Sequence, residues 1–293
     1  MAAWRRRDLW WGLFFVGPQT LLMVAFVLVP FAVGLALAFT NWGGFGALHW
    51  IGLSNFSTEL HDPIFRKAVV NTLIIAAVTV PIGLGLAVVL ATALEKVRLR
   101  SVYLTLLFLP VVTSSVAVSM IWQQLLQPQG PISTAVSKIF GIAPPDWLNN
   151  PGLILFAVCA VAIWSSLGLN VVIFLAGLQT IDENVVEAAR VDGAGPIRIF
   201  WSIKMPLLSP TMFFSTVVAV ISSFQTFDIV YVLTSGDGPG DSARTMVYHI
   251  YDVGFLHTEF GLSSAAAVIL FLLTMVVTLA QFALQGRFVH YES

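Results

Sequence analysis

Six long apolar stretches constrain the fold of this chain more than any other feature of its sequence. Each is long enough for an α-helix to cross a bilayer, which takes about 20 residues. Only 10% of the residues are charged, against about 25% in soluble domains, so the chain cannot cover a soluble surface. The sequence therefore predicts an all-α, polytopic membrane protein. The six predicted spans are residues 9–39, 68–94, 102–126, 153–178, 207–234 and 261–284.

The distribution of positive charge orients these spans. Cytoplasmic segments of membrane proteins carry an excess of Lys and Arg. With the N-terminus inside, ten of the 14 Lys and Arg residues fall in inner segments and four in outer ones. We therefore predict that both termini are cytoplasmic. The run Arg5-Arg6-Arg7 suggests a signal peptide, but the apolar region of a signal peptide holds only about 7–15 residues, and we interpret the longer stretch here as an uncleaved first span.

The longest polar interruption on the inner side, residues 181–206, predicts two short helices, and we call this segment the elbow. Asp182 can cap the first helix, because its carboxylate accepts hydrogen bonds from the free N–H groups of a first turn. Gly193 suits the left-handed residue that ends such a helix. Pro196 fits the first turn of the second helix, which Met205-Pro206 ends as the next span opens.

One face of the first elbow helix is predicted to carry small residues. Val185, Ala188, Ala189 and Asp192 follow the spacing of a single helical face, and Glu187 lies beside them. The alanines leave room for another protein to approach, and Glu187 could meet a basic residue of that protein. The residues alone leave a second interpretation open, in which the elbow is only a solvated link between two spans.

Polar side chains inside predicted spans 4 and 5 form the candidate substrate site. Transport proteins bind solutes near the middle of the membrane, between polar groups on facing helices. Hydroxyl and amide groups beside aromatic rings suit a sugar, which offers hydroxyls and apolar ring faces. The candidates are Ser165, Ser166, Asn170, Ser223, Gln225, Thr226, Asp228 and Tyr231. Such groups also bond to their own backbone or between helices, and that alternative stays open.

Asp228 is the only acidic residue well inside an apolar stretch. An ionisable group within a span is a candidate functional group. Its place near the outer end of span 5 allows contact with substrate, with interfacial water or with another protein chain.

Absent motifs exclude several functions. The sequence contains no G-x-x-x-x-G-K-[ST] phosphate loop, no H-E-x-x-H zinc motif and no G-x-S-x-G nucleophile motif. Its five histidines show no metal-ligand spacing, Cys159 is its single cysteine, and no basic stripe marks a nucleic-acid surface. We therefore predict no catalytic residue, no metal, no cofactor and no nucleic-acid partner for this chain.

Three segments of the elbow resemble the EAA loop of permease subunits in binding-protein-dependent ABC importers. They are Glu187-Ala188-Ala189, Asp192-Gly193-Ala194 and Met205-Pro206-Leu207. The resemblance covers nearly the whole chain, is closest to the carbohydrate-uptake branch of MalF and UgpA type, and implies one six-span transmembrane domain over residues 1–293. It extends to residues 51–56, 62–63, 71–73, 207–211, 223–228, 231–234, 238–240, 248–251 and 290–292.

This resemblance implies particular partners and site residues. The elbow is similar to the coupling helix between the fourth and fifth spans that docks in a cleft of a cytoplasmic ATPase subunit. The residues implied in coupling are Glu187, Ala188, Ala189, Asp192, Gly193 and Pro206, and those implied in substrate contact are Ser165, Ser166, Ser223 and Thr226. The implied partners are a second, non-identical permease subunit, two ATPase subunits that hold ATP and Mg²⁺, an extracytoplasmic solute-binding protein, a small polar solute and the bilayer of a bacterial inner (plasma) membrane.

Three alternatives stand beside a sugar importer. A glycerol-phosphate or glycerophosphodiester importer of the same branch would want Arg or Lys at its phosphate, and no Lys or Arg lies inside a predicted span, which favours a neutral sugar. A secondary transporter driven by an ion gradient predicts internal repeats and several buried charges, of which the sequence offers one charge and no repeat. A membrane enzyme would need a nucleophile and base that the motifs do not provide.

Overall fold

The computed structural model describes residues 2–288, and this part of the chain is all-α, as predicted. Its β-type pairing is limited, over those residues, to an isolated bridge between Thr40 and Trp50. Residues 290–292 of the sequence resemblance lie outside the described part. The helices are α1 (Ala2–Met23), α2 (Val29–Leu37), α3 (Ser54–His61), α4 (Pro63–Leu94), α5 (Arg100–Val112), α6 (Ser115–Leu126), α7 (Pro131–Phe140), α8 (Ile154–Gln179), α9 (Glu183–Val191), α10 (Pro196–Ile199), α11 (Met205–Leu207), α12 (Ser209–Phe224), α13 (Asp228–Leu233), α14 (Met246–Tyr251) and α15 (Phe260–Phe288).

Four helical segments in the described part are long and apolar enough to cross a membrane. They are Phe14–Leu37, Pro63–Leu94, Ile154–Gln179 and Phe260–Gly286, and they coincide with predicted spans 1, 2, 4 and 6. A π-helical turn, Val24–Leu28, joins α1 to α2 inside the first of them. Two bent helix pairs bring the number of candidate spans, by length and composition, to as many as six.

Predicted spans 3 and 5 are both broken. In place of a single helix over 102–126, α5 ends at Val112 and α6 begins at Ser115, and the chain bends there by 100°. In place of a single helix over 207–234, α12 ends at Phe224 and α13 begins at Asp228. Thr113 and Ser114 at the first break, and Gln225 and Thr226 at the second, provide groups that can bond to a backbone leaving its helix.

The chain divides into two compact units, of which the first comprises the residues up to Asp62 together with Ile250–Ile269. Asn55 organises this unit, because its buried amide donates to the carbonyls of Ala38 at 3.0 Å and Thr40 at 2.8 Å. Gly261 passes so close to this turn that a Cβ there would lie 2.0 Å from the Thr40 carbonyl oxygen. The polar turn after α2 is thereby fixed.

The second unit, Pro63–His249 with the residues from Leu270 onward, contains the main core. Helix α4 packs against α8 and α12, and α5 packs against α8. Small residues on α4 permit a close approach, since Ala87 and Ala91 are fully buried against the cluster that includes Phe174. Gly168 on α8 serves the same purpose, because a Cβ there would lie 2.0 Å from the Leu107 carbonyl oxygen of α5.

A buried arginine organises the loop between α13 and α14. Arg244 Nη1 contacts Asp237 Oδ2 at 2.9 Å and Asp241 Oδ1 at 3.3 Å. Burial, together with a hydrogen bond to Asp241, raises the pKa of the Asp237 carboxyl above its ordinary value, while Arg244 opposes the rise. Asn71 of α4 donates to the backbone oxygens of Asp241 at 3.2 Å and Arg244 at 2.9 Å, so the loop is tied to one end of α4.

Candidate functional site

The first helix of the elbow begins and ends where the sequence predicts. The Asp182 side chain caps it by accepting from the Asn184 backbone N–H at 2.9 Å. At its other end Gly193 has φ +80°, and its N–H donates to the Arg190 carbonyl at 3.0 Å. The N–H of Ala194 donates to the Ala189 carbonyl at 2.9 Å, which completes a Schellman motif.

The second helix of the elbow is longer than predicted. We expected Met205-Pro206 to end it, but after α10 the helix continues through the π-helical segment Phe200–Lys204 into α11. The chain then bends by 67° between Leu207 and Ser209. The cause is Pro210, which has no N–H to continue the ladder, while Ser209 Oγ donates to the Pro206 carbonyl at 2.6 Å in its place.

The exposed part of α9 combines small apolar residues with acidic ones. Val185, Glu187 and Ala188 are exposed, Val191 is 88% exposed, and only Val186 is buried. The predicted face is therefore largely free in this chain, although Ala189 is half-buried. Exposed apolar residues rimmed by polar ones are typical of a surface that binds another protein.

A cavity of about 270 Å³ lies between α4, α8 and α12 in the second unit. Five of the eight predicted substrate residues line it: Ser165, Ser166, Asn170, Ser223 and Thr226. Thr79 of α4 also lines it, and the sequence-based prediction missed this residue because it sought polar groups only in spans 4 and 5. Thr79 is one of three threonines within the apolar span 2, and no local pattern distinguishes it from the other two.

The cavity hydroxyls donate to their own helices. Ser165 Oγ donates to the Val161 carbonyl at 2.8 Å, Thr79 Oγ1 to that of Ile75 at 2.7 Å, and Ser223 Oγ to that of Val220 at 2.8 Å. The alternative in which these groups bond to their own backbone is therefore correct for the hydroxyl protons. Each hydroxyl oxygen still has lone pairs with which to accept from a solute.

The other three predicted substrate residues do not line this cavity. Gln225 is exposed at the end of α12, and Tyr231 stacks on Phe227 with ring centroids 5.4 Å apart. Asp228 is exposed and accepts a hydrogen bond from Ser115 Oγ. Asp228 therefore links the first residue of α13 to the first residue of α6.

The two broken spans run side by side. Besides the contact at their starts, Gln123 of α6 donates to the Val232 carbonyl at 3.1 Å and to Ser235 Oγ at 3.0 Å at the end of α13. Helices α6 and α13 therefore run parallel. The Thr226 carbonyl, at the break beside the cavity, accepts from Thr245 Oγ1 of the loop between α13 and α14 at 3.2 Å.

An all-α chain with up to six candidate spans, a polar-lined cavity between them and a capped helical elbow defines a polytopic transport protein. Residues 80–290 match the family described as binding-protein-dependent transport system inner membrane component. The chain belongs to this family, which confirms the resemblance seen in the sequence. It is a permease component of an importer and not an enzyme.

Named relatives and solved structures agree with this assignment. The chain is 34% identical over 279 residues to the sn-glycerol-3-phosphate transport system permease protein UgpA of Agrobacterium fabrum, covering 94% of each. It is 30% identical to the arabinooligosaccharides transport system permease protein AraP of Bacillus subtilis, covering 94% of this chain and 88% of AraP. Its fold matches a chain in the crystal structure of a bacterial ABC transporter involved in the import of the acidic polysaccharide alginate, with a TM-score of 0.86, 22% identity and coverage of 99% and 100%.

Proposed function

We propose that the chain supplies one six-span domain of an ATP-driven importer in a bacterial inner membrane and that its solute is a neutral carbohydrate. The observation that carries the solute class is the chemistry of the cavity. Among the described residues that line it, none is charged, and hydroxyl and amide groups alternate with apolar side chains. Because the hydroxyl protons are used within the helices, the cavity mainly offers acceptors, which suit the hydroxyl donors of a sugar.

A phosphate-bearing solute is the second candidate. The named UgpA relatives favour it, at 34% identity over nearly the full chain. A phosphate dianion can only accept hydrogen bonds and is typically bound by Arg or Lys. The cavity lining of this chain provides neither residue. A partner subunit would have to supply the charge. Calorimetry of the cognate binding protein with arabino-oligosaccharide and with sn-glycerol-3-phosphate distinguishes the two, and tight binding of only the phosphate would refute the neutral-carbohydrate proposal.

The proposed pathway is shared with a second, non-identical permease subunit. Ser165, Ser166, Asn170, Ser223 and Thr226 would contact the solute directly, and Gln225, Asp228 and Tyr231, which flank the break after α12, would meet it at the outer end. An extracytoplasmic binding protein would deliver the solute, and both termini would lie in the cytoplasm.

The elbow is proposed as the dock for one of two ATPase subunits, which would hold ATP and Mg²⁺. The exposed face of α9 supports this role, because its valines and Ala188 offer a small apolar surface with Glu187 beside it. Glu187 would pair with a basic residue of the ATPase. Asp192 and Gly193 would set the turn that presents this face, and Pro206 would lie in the helix that follows it.

Two matched substitutions in α9 test the docking. Glu187→Gln removes the proposed partner of the ATPase, and Glu183→Gln removes the same charge one turn earlier, where the side chain is equally exposed. We expect Glu187→Gln to weaken copurification of the ATPase and ATP-dependent uptake, whereas Glu183→Gln preserves both. If both variants assemble and transport like the unmodified chain, Glu187 has no docking role. ATP-independent, ion-driven uptake by the chain alone would instead favour a secondary transporter.

A further inference from the structure

The elbow contains a buried lysine that docking does not explain. Lys204 lies in the π-helical segment before α11 and is only 8% exposed. Its Nζ forms an ion pair with Oε2 of Glu95, the first residue after α4. A lysine is almost never buried without a partner, so the pair holds the second elbow helix to the inner end of α4.

A cavity of about 340 Å³ lies beside this ion pair, with Thr92 and Glu95 on the α4 side and Arg190, Ile199 and Lys204 on the elbow side. Apolar contacts also hold the elbow, since Phe200 and Met205 pack against the core cluster that includes Ala91 and Leu94 of α4. The ion pair adds a charged contact at this point, and removing one partner leaves the other charge uncompensated.

Helix α4 connects this contact to the substrate cavity. It runs uninterrupted from Pro63 to Leu94, through Pro81, whereas spans 3 and 5 are broken. Thr79 and Gly83 of α4 line the substrate cavity. Thr79 lies roughly 24 Å along the helix from Glu95, at about 1.5 Å per residue. A displacement of the inner end of such a continuous helix reaches the cavity.

We infer that the Glu95–Lys204 ion pair is the joint through which movement of the elbow reaches α4 and thus the substrate cavity. This inference rests on the proposed docking of the elbow on an ATPase. Both are positioning residues: they touch neither solute nor nucleotide. Without the pair, the charged contact between the elbow and α4 is lost, and we expect movement of the elbow to reach α4 less effectively.

The test measures the cavity directly and needs no knowledge of the solute. In a Cys159→Ser background, Ser166→Cys places a single thiol in the substrate cavity, and its rate of labelling by a water-soluble maleimide added from outside is measured in the full complex. The rate is compared with and without trapping by ATP and vanadate. In the complex with native Glu95 and Lys204, trapping should change it.

Four variants of the joint are compared in that background. We expect Lys204→Met and Glu95→Gln each to reduce the trapping-dependent change by at least about fivefold, the lower end of typical coupling between sites. The swap Glu95→Lys with Lys204→Glu should restore it. Arg198→Met removes a charge from an exposed position of the same elbow and should leave it intact.

The outcomes separate this inference from the function beneath it. Copurified ATPase and ATP hydrolysis show that each variant still assembles. Assembly alone does not distinguish the joint from a merely structural role of the pair, and the change in labelling does. If assembled Lys204→Met and Glu95→Gln complexes keep the full change in labelling, the joint is refuted while the docking stands. If either single variant fails to assemble, the double variant with exchanged charges is decisive. A double variant that assembles and shows the change in labelling supports the joint, and one that assembles without this change overturns it. Absence of ATPase from the native complex refutes the docking itself.

Discussion

Replacing Gly168 by alanine tests the close crossing of α5 and α8, the helix that provides one wall of the substrate cavity. Gly168 is buried in α8, between Ser166 and Asn170 of the cavity wall. An added Cβ would lie 2.0 Å from the Leu107 carbonyl oxygen and 3.0 Å from Phe108 Cα. Both are backbone atoms, so no side-chain rotation can relieve the clash.

The expected cost follows from the size of this overlap. A close C···O contact measures about 3.3 Å, so the two helices must separate by roughly 1.3 Å. Overpacking of this kind costs about 1–3 kcal/mol, and a backbone clash belongs at the upper end. Against this, alanine is favoured over glycine within a helix by about 1 kcal/mol. The net expectation for Gly168→Ala is a loss of about 2 kcal/mol.

Thermal unfolding in detergent measures the difference, with Gly85→Ala as the matched control. Gly85 lies in α4 and is exposed, and a Cβ added there would meet no atom within 4 Å. Its replacement should therefore stabilise the protein by about 0.5–1 kcal/mol. Gly168→Ala should unfold several degrees below the unmodified protein and Gly85→Ala at or above it. Equal midpoints for the two variants would show that α5 and α8 are not in backbone contact.

Two further predictions concern the ends of the elbow helix and of α4. Asp182→Ala removes the cap on the Asn184 N–H and should destabilise α9 by about 1 kcal/mol. Hydrogen exchange in the first turn of α9 should then be roughly fivefold faster. Unchanged exchange would contradict the capping role of Asp182. Asn71→Ala removes both side-chain hydrogen bonds to the loop between α13 and α14 and should cost about 1–3 kcal/mol, with faster proteolysis near Asp241. A loop as resistant as before would show that Asn71 does not hold it.

The sequence predicts the elbow well because its signals are local. Asp182 and Gly193 act on the backbone within a few residues, so side-chain chemistry and spacing determine where the helix begins and ends. The elbow's second helix is harder to predict, since two prolines follow each other closely there. Pro206 is accommodated after a π-helical turn, and Pro210 is the one that bends the chain.

The cavity is only partly predictable because it depends on which helices meet. Polar residues on spans 4 and 5 identify five of its members, yet Thr79 enters only once α4 is packed against α8. Gln225, Asp228 and Tyr231 have equally suitable side chains but do not line the cavity, whereas Thr226, in the same break after Phe224, does. Likewise, the ion pair of Lys204 with Glu95 joins residues far apart in sequence, and no local pattern reveals it.

In this protein a helix can continue through a proline, and a span can break where there is none. This contrast between α4 and span 5 has a functional consequence. Helix α4 continues through Pro81, whereas span 5 breaks at residues 225–227, which include no proline. At that break the Thr226 carbonyl accepts from Thr245, so a hydrogen bond from the loop between α13 and α14 replaces one of the helix. The backbone can therefore change angle there without leaving a polar group unsatisfied. The cavity is thus bounded by an uninterrupted helix on one side and a jointed helix on the other, and relative motion of the two would change its width at the jointed side first.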